Sequence, residues 1–139
     1  MAALENRTRL TDVNGSELIV PERTTLLITG TVKDELGVAI PLSSIGTLTL
    51  TLYAPEVTGQ PIINSVSGIN ILNDGVRGVV HATSGAVTIT LLPADGAIQD
   101  VTQATELHRA LLQWTYGAGG AKSGRHEIDW MVRNLDKVS

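Results

Sequence analysis

Leucine and threonine alternate along residues 46–53 more regularly than anywhere else in the chain. The alternating positions are Leu48, Leu50 and Leu52 on one side and Thr47, Thr49 and Thr51 on the other. Successive side chains of a β-strand point to opposite faces. The pattern therefore predicts a strand that buries its leucines and turns its threonines to solvent.

Three later segments have the same two-residue period. Residues 86–92 are predicted to be a strand that buries Val87, Ile89 and Leu91. Residues 106–116 contain good helix formers, but their apolar side chains alternate, and this favours a strand. Its inward face is predicted to consist of His108, Ala110, Leu112, Trp114 and Tyr116. The glycine-rich residues 117–124 suit a hairpin loop, and residues 125–132 are predicted to be the partner strand, with Ile128, Trp130 and Val132 inward.

The start of the chain has a different character. Residues 1–16 are polar and unpatterned, and residues 17–23 read as a short edge strand that stops at Pro21, because proline cannot donate to a ladder. We therefore expect residues 1–23 to be an N-terminal arm or linker and residues 24–139 to be one domain.

The remaining strands and turns follow from turn chemistry and from β-branched runs. Extended segments are predicted at residues 24–32, 38–41, 61–64, 69–72 and 76–82, with turns at 33–37, 54–60 and 73–75. Residues 93–98 read as one helical turn with Pro93 near its start, of the kind that leads from one sheet to the other. Seven to nine strands at roughly ten-residue spacing predict an all-β, Ig-like antiparallel β-sandwich with one short helical turn.

Composition narrows the function classes. The chain has 139 residues, is 42% hydrophobic and 17% charged, and has a formal net charge of −4. Its basic residues are scattered, so no nucleic-acid partner is expected. It has no cysteine, which excludes disulfides and thiol chemistry. No stretch reaches the roughly 18 apolar residues that span a bilayer, and the first residues lack a signal-peptide pattern, so we expect neither a membrane partner nor secretion.

The histidines are the strongest candidates for chemistry. If the last two strands pair, His108 and His126 lie near each other, and Glu106 or Glu127 joins them as a metal site or an acid–base pair. His81 lies on another strand. The spacing matches no known ligand motif, so core or rim histidines are the preferred interpretation.

Other candidate motifs are weaker. The end of the glycine-rich run, Lys122-Ser123, has Ala121 before it and no helix after it, unlike a phosphate-binding loop. Asp95 is expected to stabilise its own turn, and Trp114 and Trp130 to pack in the core. We therefore expect no catalytic, cofactor-binding or metal-binding residues and no cofactor.

Several segments resemble small Ig-like modules of tailed-bacteriophage virion proteins. They are residues 29–41, 48–53, 92–95, 108–116 and 124–127, and the resemblance covers about residues 24–135. In outline it is similar to the N-terminal module of phage baseplate upper proteins. No long C-terminal fibre segment follows in this sequence, so receptor binding is not expected.

The resemblance implies a virion structural protein. We expect a non-enzymatic head, neck or tail accessory component that is assembled in the host cytoplasm, docks onto other virion proteins and forms a symmetric homo-oligomer. A capsid decoration protein is one form of this hypothesis. The alternatives are a carbohydrate-binding or adhesion module, which needs exposed aromatic side chains, and a metal-dependent enzyme, which needs the histidines.

Overall fold

Nine strands form the framework of the described chain. The structure is a computed structural model that describes residues 7–11, 14–81 and 84–135. The strands are β1 (Arg7–Arg9), β2 (Ile19–Pro21), β3 (Leu26–Thr31), β4 (Ile45–Tyr53), β5 (Ile69–Asn70), β6 (Gly78–Val80), β7 (Ala86–Leu91), β8 (Thr105–Tyr116) and β9 (Lys122–Arg133). Short 3-10 turns occur at Leu42–Ser44, Pro93–Gly96 and Ala118–Gly120.

The strands form two sheets that enclose one core. The large sheet has the order β1-β9-β8-β4-β5, with β2 also on β9, and the small sheet has the order β3-β7-β6. Side chains from both sheets make a single buried cluster, which includes Leu48, Leu50 and Leu52 of the large sheet and Ile89 of the small one. The fold is therefore all-β and sandwich-like, as the sequence predicts.

The β8–β9 hairpin is the longest pairing. It runs without interruption from Thr105 opposite Arg133 to Tyr116 opposite Lys122. The predicted strand at 106–116 is confirmed, and its even-numbered side chains are buried. The helical turn is also confirmed at Pro93–Gly96, where the chain passes from β7 in the small sheet to β8 in the large one.

The hairpin loop is shorter than predicted. The glycine-rich run was expected to form a loop through residue 124, but β9 already begins at Lys122. Gly124 lies opposite Trp114, and a Cβ at this position would come within 2.5 Å of the indole ring. Glycine serves here as the strand residue over which a large ring can lie, and not as a loop residue.

The N-terminal strands correct the expectation of a wholly antiparallel sandwich. Both β1 and β2 run parallel to β9, and no strand was expected at β1. The backbone N–H of Leu18 donates to the carbonyl of Leu10, and this hydrogen bond joins the ends of the segment between β1 and β2. Parallel pairing is available because β1 and β9 lie far apart in the chain, so no short hairpin fixes their relative direction. Parts of the predicted arm, of the predicted strand 76–82 and of the predicted domain lie outside the described residues. These parts are residues 1–6, 12–13, 82–83 and 136–139.

Two of the predicted extended pieces form single bridges only. Residues 38–41 contribute the bridge of Ala39 to Lys33, and residues 61–64 contribute that of Ile62 to Tyr53. Ile63 and Val66 are nevertheless fully buried, since the loop after β4 folds back over the core and its backbone bonds to Leu52. Burial of a loop in this way requires its backbone groups to be satisfied, and these bonds do so.

Replacing Gly124 with alanine should destabilise the protein. The added methyl group would overlap the ring of Trp114, which would have to shift from its place to make room. We expect a loss of about 1–3 kcal/mol in the free energy of unfolding, measured by urea denaturation. Gly30→Ala is the matched control, because nothing lies within 4 Å of its added Cβ and its backbone is unstrained. Equal stability of the two variants would contradict the proposed role of Gly124.

Candidate functional site

Asp95 is a buried carboxylate that accepts several hydrogen bonds. Its side chain is fully buried at the 3-10 turn after β7. Arg77 donates to both carboxylate oxygens at 2.9 and 3.0 Å, Asn64 donates at 2.8 Å, and the Leu92 N–H donates at 2.8 Å. The expected role in its own turn is present, and the same carboxylate also ties together three loops of the sandwich.

The electrostatics of Asp95 favour the charged form. Burial alone would raise the pKa of its carboxyl, but the hydrogen bonds from Arg77, Asn64 and Leu92 outweigh burial and lower the pKa. Asp95 is thus a carboxylate at neutral pH, with all its neighbouring donors engaged. Such a group holds structure and is not available as an acid or a base.

Glu106 and His108 form a second buried pair. They lie two residues apart on the inward face of β8, and Glu106 Oε2 is 2.5 Å from His108 Nε2. The backbone N–H groups of Gln99 and Asp100 donate to the same carboxylate at 2.7–3.0 Å. Because a carboxylate only accepts, Nε2 carries the proton in this bond. The Nδ1 atom of His108 has no hydrogen-bond partner among the described residues.

The environment of Glu106 also keeps it charged. Burial would raise the pKa of Glu106, but the hydrogen bonds from His108, Gln99 and Asp100 together lower it. The edge of the Trp130 ring system packs against the His108 ring, with 6.2 Å between the ring centroids. The pair is therefore enclosed in the core.

The structure does not bring the predicted histidines together. His108 lies opposite Trp130, whereas His126 lies opposite Leu112, which is four residues or about 14 Å further along β8. His81 precedes the turn between β6 and β7 and is exposed. Among the described residues, no group of three or more His, Asp or Glu side chains is placed to hold a metal ion.

His126 lies at the mouth of a groove between the sheets. Its Nε2 is 2.7 Å from Thr8 Oγ1, and burial lowers the pKa of its imidazole, with Glu127 opposing the shift. The groove has a volume of about 790 Å³. Its walls are mainly apolar and include Ile28, Val32, Trp114 and Ile128. It opens between β3 of the small sheet and β1 and β9 of the large one.

A third ionic pair lies on the outer face of the large sheet. Arg109 of β8 lies directly opposite Asp129 of β9 and donates to its two oxygens at 2.7 and 2.9 Å. The guanidinium also lies 5.9 Å from the centre of the Tyr53 ring. Paired charges opposite each other on neighbouring strands stabilise a sheet. This ion pair therefore stabilises the pairing of β8 with β9.

The tryptophans and the glycine-rich run have structural surroundings. Trp114 and Trp130 are 9% and 2% exposed, so their predicted place in the core is confirmed. The Trp114 indole N–H donates to the Lys33 carbonyl at 3.2 Å. Lys122 Nζ donates to Glu35 Oε2 at 2.6 Å, so this lysine forms an ion pair with a residue of the same chain.

The outer face of the small sheet is exposed and uncharged. Thr29, Thr88 and Val79 form one row across its three strands, flanked by Leu27 and Thr31 on β3. Leu27 and Val79 are 63% and 59% exposed, and the three threonines are exposed as well. We call these five residues the threonine face. Exposed apolar side chains grouped in this way are typical of contact surfaces.

Sequence reasoning missed two partnerships. Nothing in the sequence connects Arg77 or Asn64 with Asp95. Glu106 was considered only as a metal ligand or an acid–base residue, and not as the acceptor of hydrogen bonds from backbone N–H groups. The period-2 pattern of β8 does place Glu106 on the inward face, next to His108. A carboxylate and a histidine two residues apart on a buried strand face is the signal that could have identified the pair.

Comparisons with protein-family models, with curated proteins and with solved structures find no match. Within the described residues, the helical segments are single 3-10 turns, and none of them has the length or apolarity to cross a membrane.

Removing the Asp95 carboxylate should be among the most destabilising single changes. Asp95→Ala leaves Arg77 and two further donors without their acceptor in a buried site, and loss of one partner of such a pair costs about 3–5 kcal/mol. Glu17→Ala breaks the exposed Arg9–Glu17 pair and is the control, with an expected loss below about 1 kcal/mol. Urea denaturation of both variants measures the difference, and similar losses would contradict the role of Asp95.

The Glu106–His108 pair should make stability depend on acid. Because the folded pKa of Glu106 lies below 4.5, its contribution is fully present above pH 4.5 and is lost as the pH falls through the folded value. Glu106→Gln should be about 1–3 kcal/mol less stable than the unmodified chain at pH 7, and the two should converge in acid. Denaturation across a pH series tests this. Glu56→Gln, on an exposed carboxylate, is the control, and a constant difference between Glu106→Gln and the unmodified chain at every pH would refute the assignment.

Proposed function

We propose that this chain is a non-enzymatic structural component of a tailed-phage virion, which docks onto other virion proteins in multiple copies. The observation that carries the proposal is the contrast between its polar core and its threonine face. Asp95, Glu106 and Asp129 are each bound to donors of the same chain. The threonine face, in contrast, presents hydroxyl and apolar groups to solvent without any charge.

The chemistry of this face suits a protein partner. Contact surfaces between proteins are depleted of charge at their centre, where burying an unpaired charge is costly. Threonine hydroxyls can donate and accept, and the methyl groups of threonine, valine and leucine supply apolar area. A sheet face with this composition fits a weakly charged surface of a capsid, neck or tail protein.

The virion assignment is supported by the resemblance of residues 24–135 to small Ig-like phage modules. The all-β sandwich-like fold is compatible with that class, although many unrelated functions use sandwiches. A carbohydrate-binding module is less well supported, because Trp130 is buried and Trp114, on the groove wall, is only 9% exposed.

The proposal predicts that the chain is found in purified virions in a fixed copy number. Cryo-electron microscopy of the particles should show symmetric density for the sandwich on the head, neck or tail, and mass spectrometry should count the copies. Absence from every particle fraction would overturn the virion role and leave a stand-alone binding module.

A pair of variants tests the docking face. Thr88→Lys puts a charge at the centre of the threonine face and should reduce incorporation into particles by at least tenfold. Gln113→Lys puts the same charge on the exposed outer face of the large sheet and is the matched control. Equal incorporation of the two variants would show that the threonine face is not the docking surface.

A further inference from the structure

Strand β3 leaves one of its edges without a partner. It pairs with β7 on one side, and no described strand lies on the other. Loop hydrogen bonds do not fill the gap, since none from residues 7–11, 14–81 or 84–135 reaches the free side of Leu27, Thr29 or Thr31. This open edge borders the groove between the sheets, which is lined by residues 28–35.

The hydrogen-bond pattern identifies which groups face the open edge. The Thr90 N–H donates to the carbonyl of Arg77, which directly precedes β6, so the backbone groups of Thr90 face away from β3. The backbone groups of its neighbours Ile89 and Leu91 therefore face β3. In an antiparallel pair this direction alternates from one residue to the next. The backbone N–H and C=O groups of Leu27, Thr29 and Thr31 therefore face outward along the open edge.

This edge lacks the features that normally prevent strand pairing. Natural sheets protect their edges with charges, proline, very short strands or covering loops. Residues 24–32 contain neither a charged residue nor proline. The other edges are protected: β1 has three residues and contains Arg9, β5 has two residues, β2 contains Pro21, and β6 is covered where Asn73 accepts the Val80 N–H at 2.6 Å.

We propose that a second copy of this chain pairs with β3 through its own β3, in antiparallel fashion about a two-fold axis at Thr29. The inference rests on the proposed function in that it names one partner of the multi-copy assembly. A two-fold axis brings Thr29 opposite Thr29 of the second copy and Leu27 opposite Thr31 of the second copy. The outward-facing backbone groups of one copy then meet those of the other.

Charge and side-chain direction are compatible with this register and exclude some of its neighbours. Shifting the pairing by one residue would set inward side chains of one copy beside outward side chains of the other, which a sheet does not allow. Moving the axis to Ile28 restores the alternation but brings Arg23 opposite Lys33 of the second copy, and like charges in that position are unfavourable. With the axis at Thr29, Lys33 lies opposite the neutral Thr25.

The pairing would join the two small sheets into one. Strands β6-β7-β3 of each copy would form a continuous sheet of twice the width, and the two threonine faces would lie side by side on one surface. A dimer built in this way would present a larger uncharged surface to its docking partner than one copy does, since both faces point in the same direction about the axis.

Single cysteines test the pairing directly, because the chain contains none of its own. Opposite residues of a hydrogen-bonded antiparallel pair have Cα atoms about 5.5 Å apart, which is within disulfide reach. Thr29→Cys should form a covalent dimer under mild oxidation. Thr88→Cys, on the same face one strand inward, is the control, since two such residues would be about 14 Å apart. Failure of Thr29→Cys to cross-link faster than Thr88→Cys would overturn the axis position.

Charge variants at the axis supply a second, independent measurement. Analytical ultracentrifugation should show a concentration-dependent dimer for the unmodified chain. Thr29→Lys and Thr29→Glu should each weaken dimerisation at least tenfold, because like charges meet across the axis, and mixing them should restore it. Thr88→Lys should dimerise normally. A monomer at every concentration, or a dimer that is unaffected by Thr29→Lys, would overturn the proposal.

The two proposals fail in different ways. A chain that stays monomeric at every concentration, but loses its place in the virion in the Thr88→Lys variant and keeps it in the Gln113→Lys variant, would still dock through the threonine face without a second copy at β3. That outcome overturns the two-fold pairing and keeps the docking function. A chain that dimerises through Thr29 but is absent from every particle keeps the pairing and overturns the virion role.

Discussion

Twelve residues of β8 pair with twelve of β9, and β1, β2 and β4 all attach to this hairpin. Its inward face carries Trp114 and Trp130, and its outer face carries the Arg109–Asp129 pair. Long antiparallel pairing fixes the position of many side chains at once, because a slip of one residue would turn each of them to the wrong face. The placement of the small sheet, the groove and the buried Glu106 all depend on this register.

Buried charge supplies the specificity that a core of leucine, isoleucine and valine lacks. Such side chains are similar in size and can repack against each other with little loss. Asp95 accepts from donors of three separate segments, so these segments must come together for the donors to be satisfied. Glu106 does the same for the chain entering β8. Both carboxylates thereby restrict how the loops fold over an otherwise permissive core.

The sequence predicts the strands well where apolar and polar residues alternate, as Leu48, Leu50 and Leu52 do, because burial of one sheet face leaves that period directly in the sequence. It predicts poorly what depends on distant neighbours. Gly124 was placed in a loop because only the approach of Trp114 shows why a strand needs glycine there. His108 and His126 were expected to lie close together, because the two-residue alternation does not show the register of the two strands. That register places the two histidines far apart. The Arg77–Asp95 contact between loops carries no local pattern.

The parallel attachment of β1 and β2 to β9 has a consequence for synthesis of the chain. Arg7 pairs with Glu127, so the first described strand finds its place beside a strand that leaves the ribosome 120 residues later. Contacts between such distant residues must wait for loop closure and slow folding. During translation the early segments therefore remain without their neighbours until β9 emerges, and the uncharged β3 is exposed over the same interval. When several chains are synthesised close together, the exposed β3 of one chain could pair with that of another before either sandwich has formed.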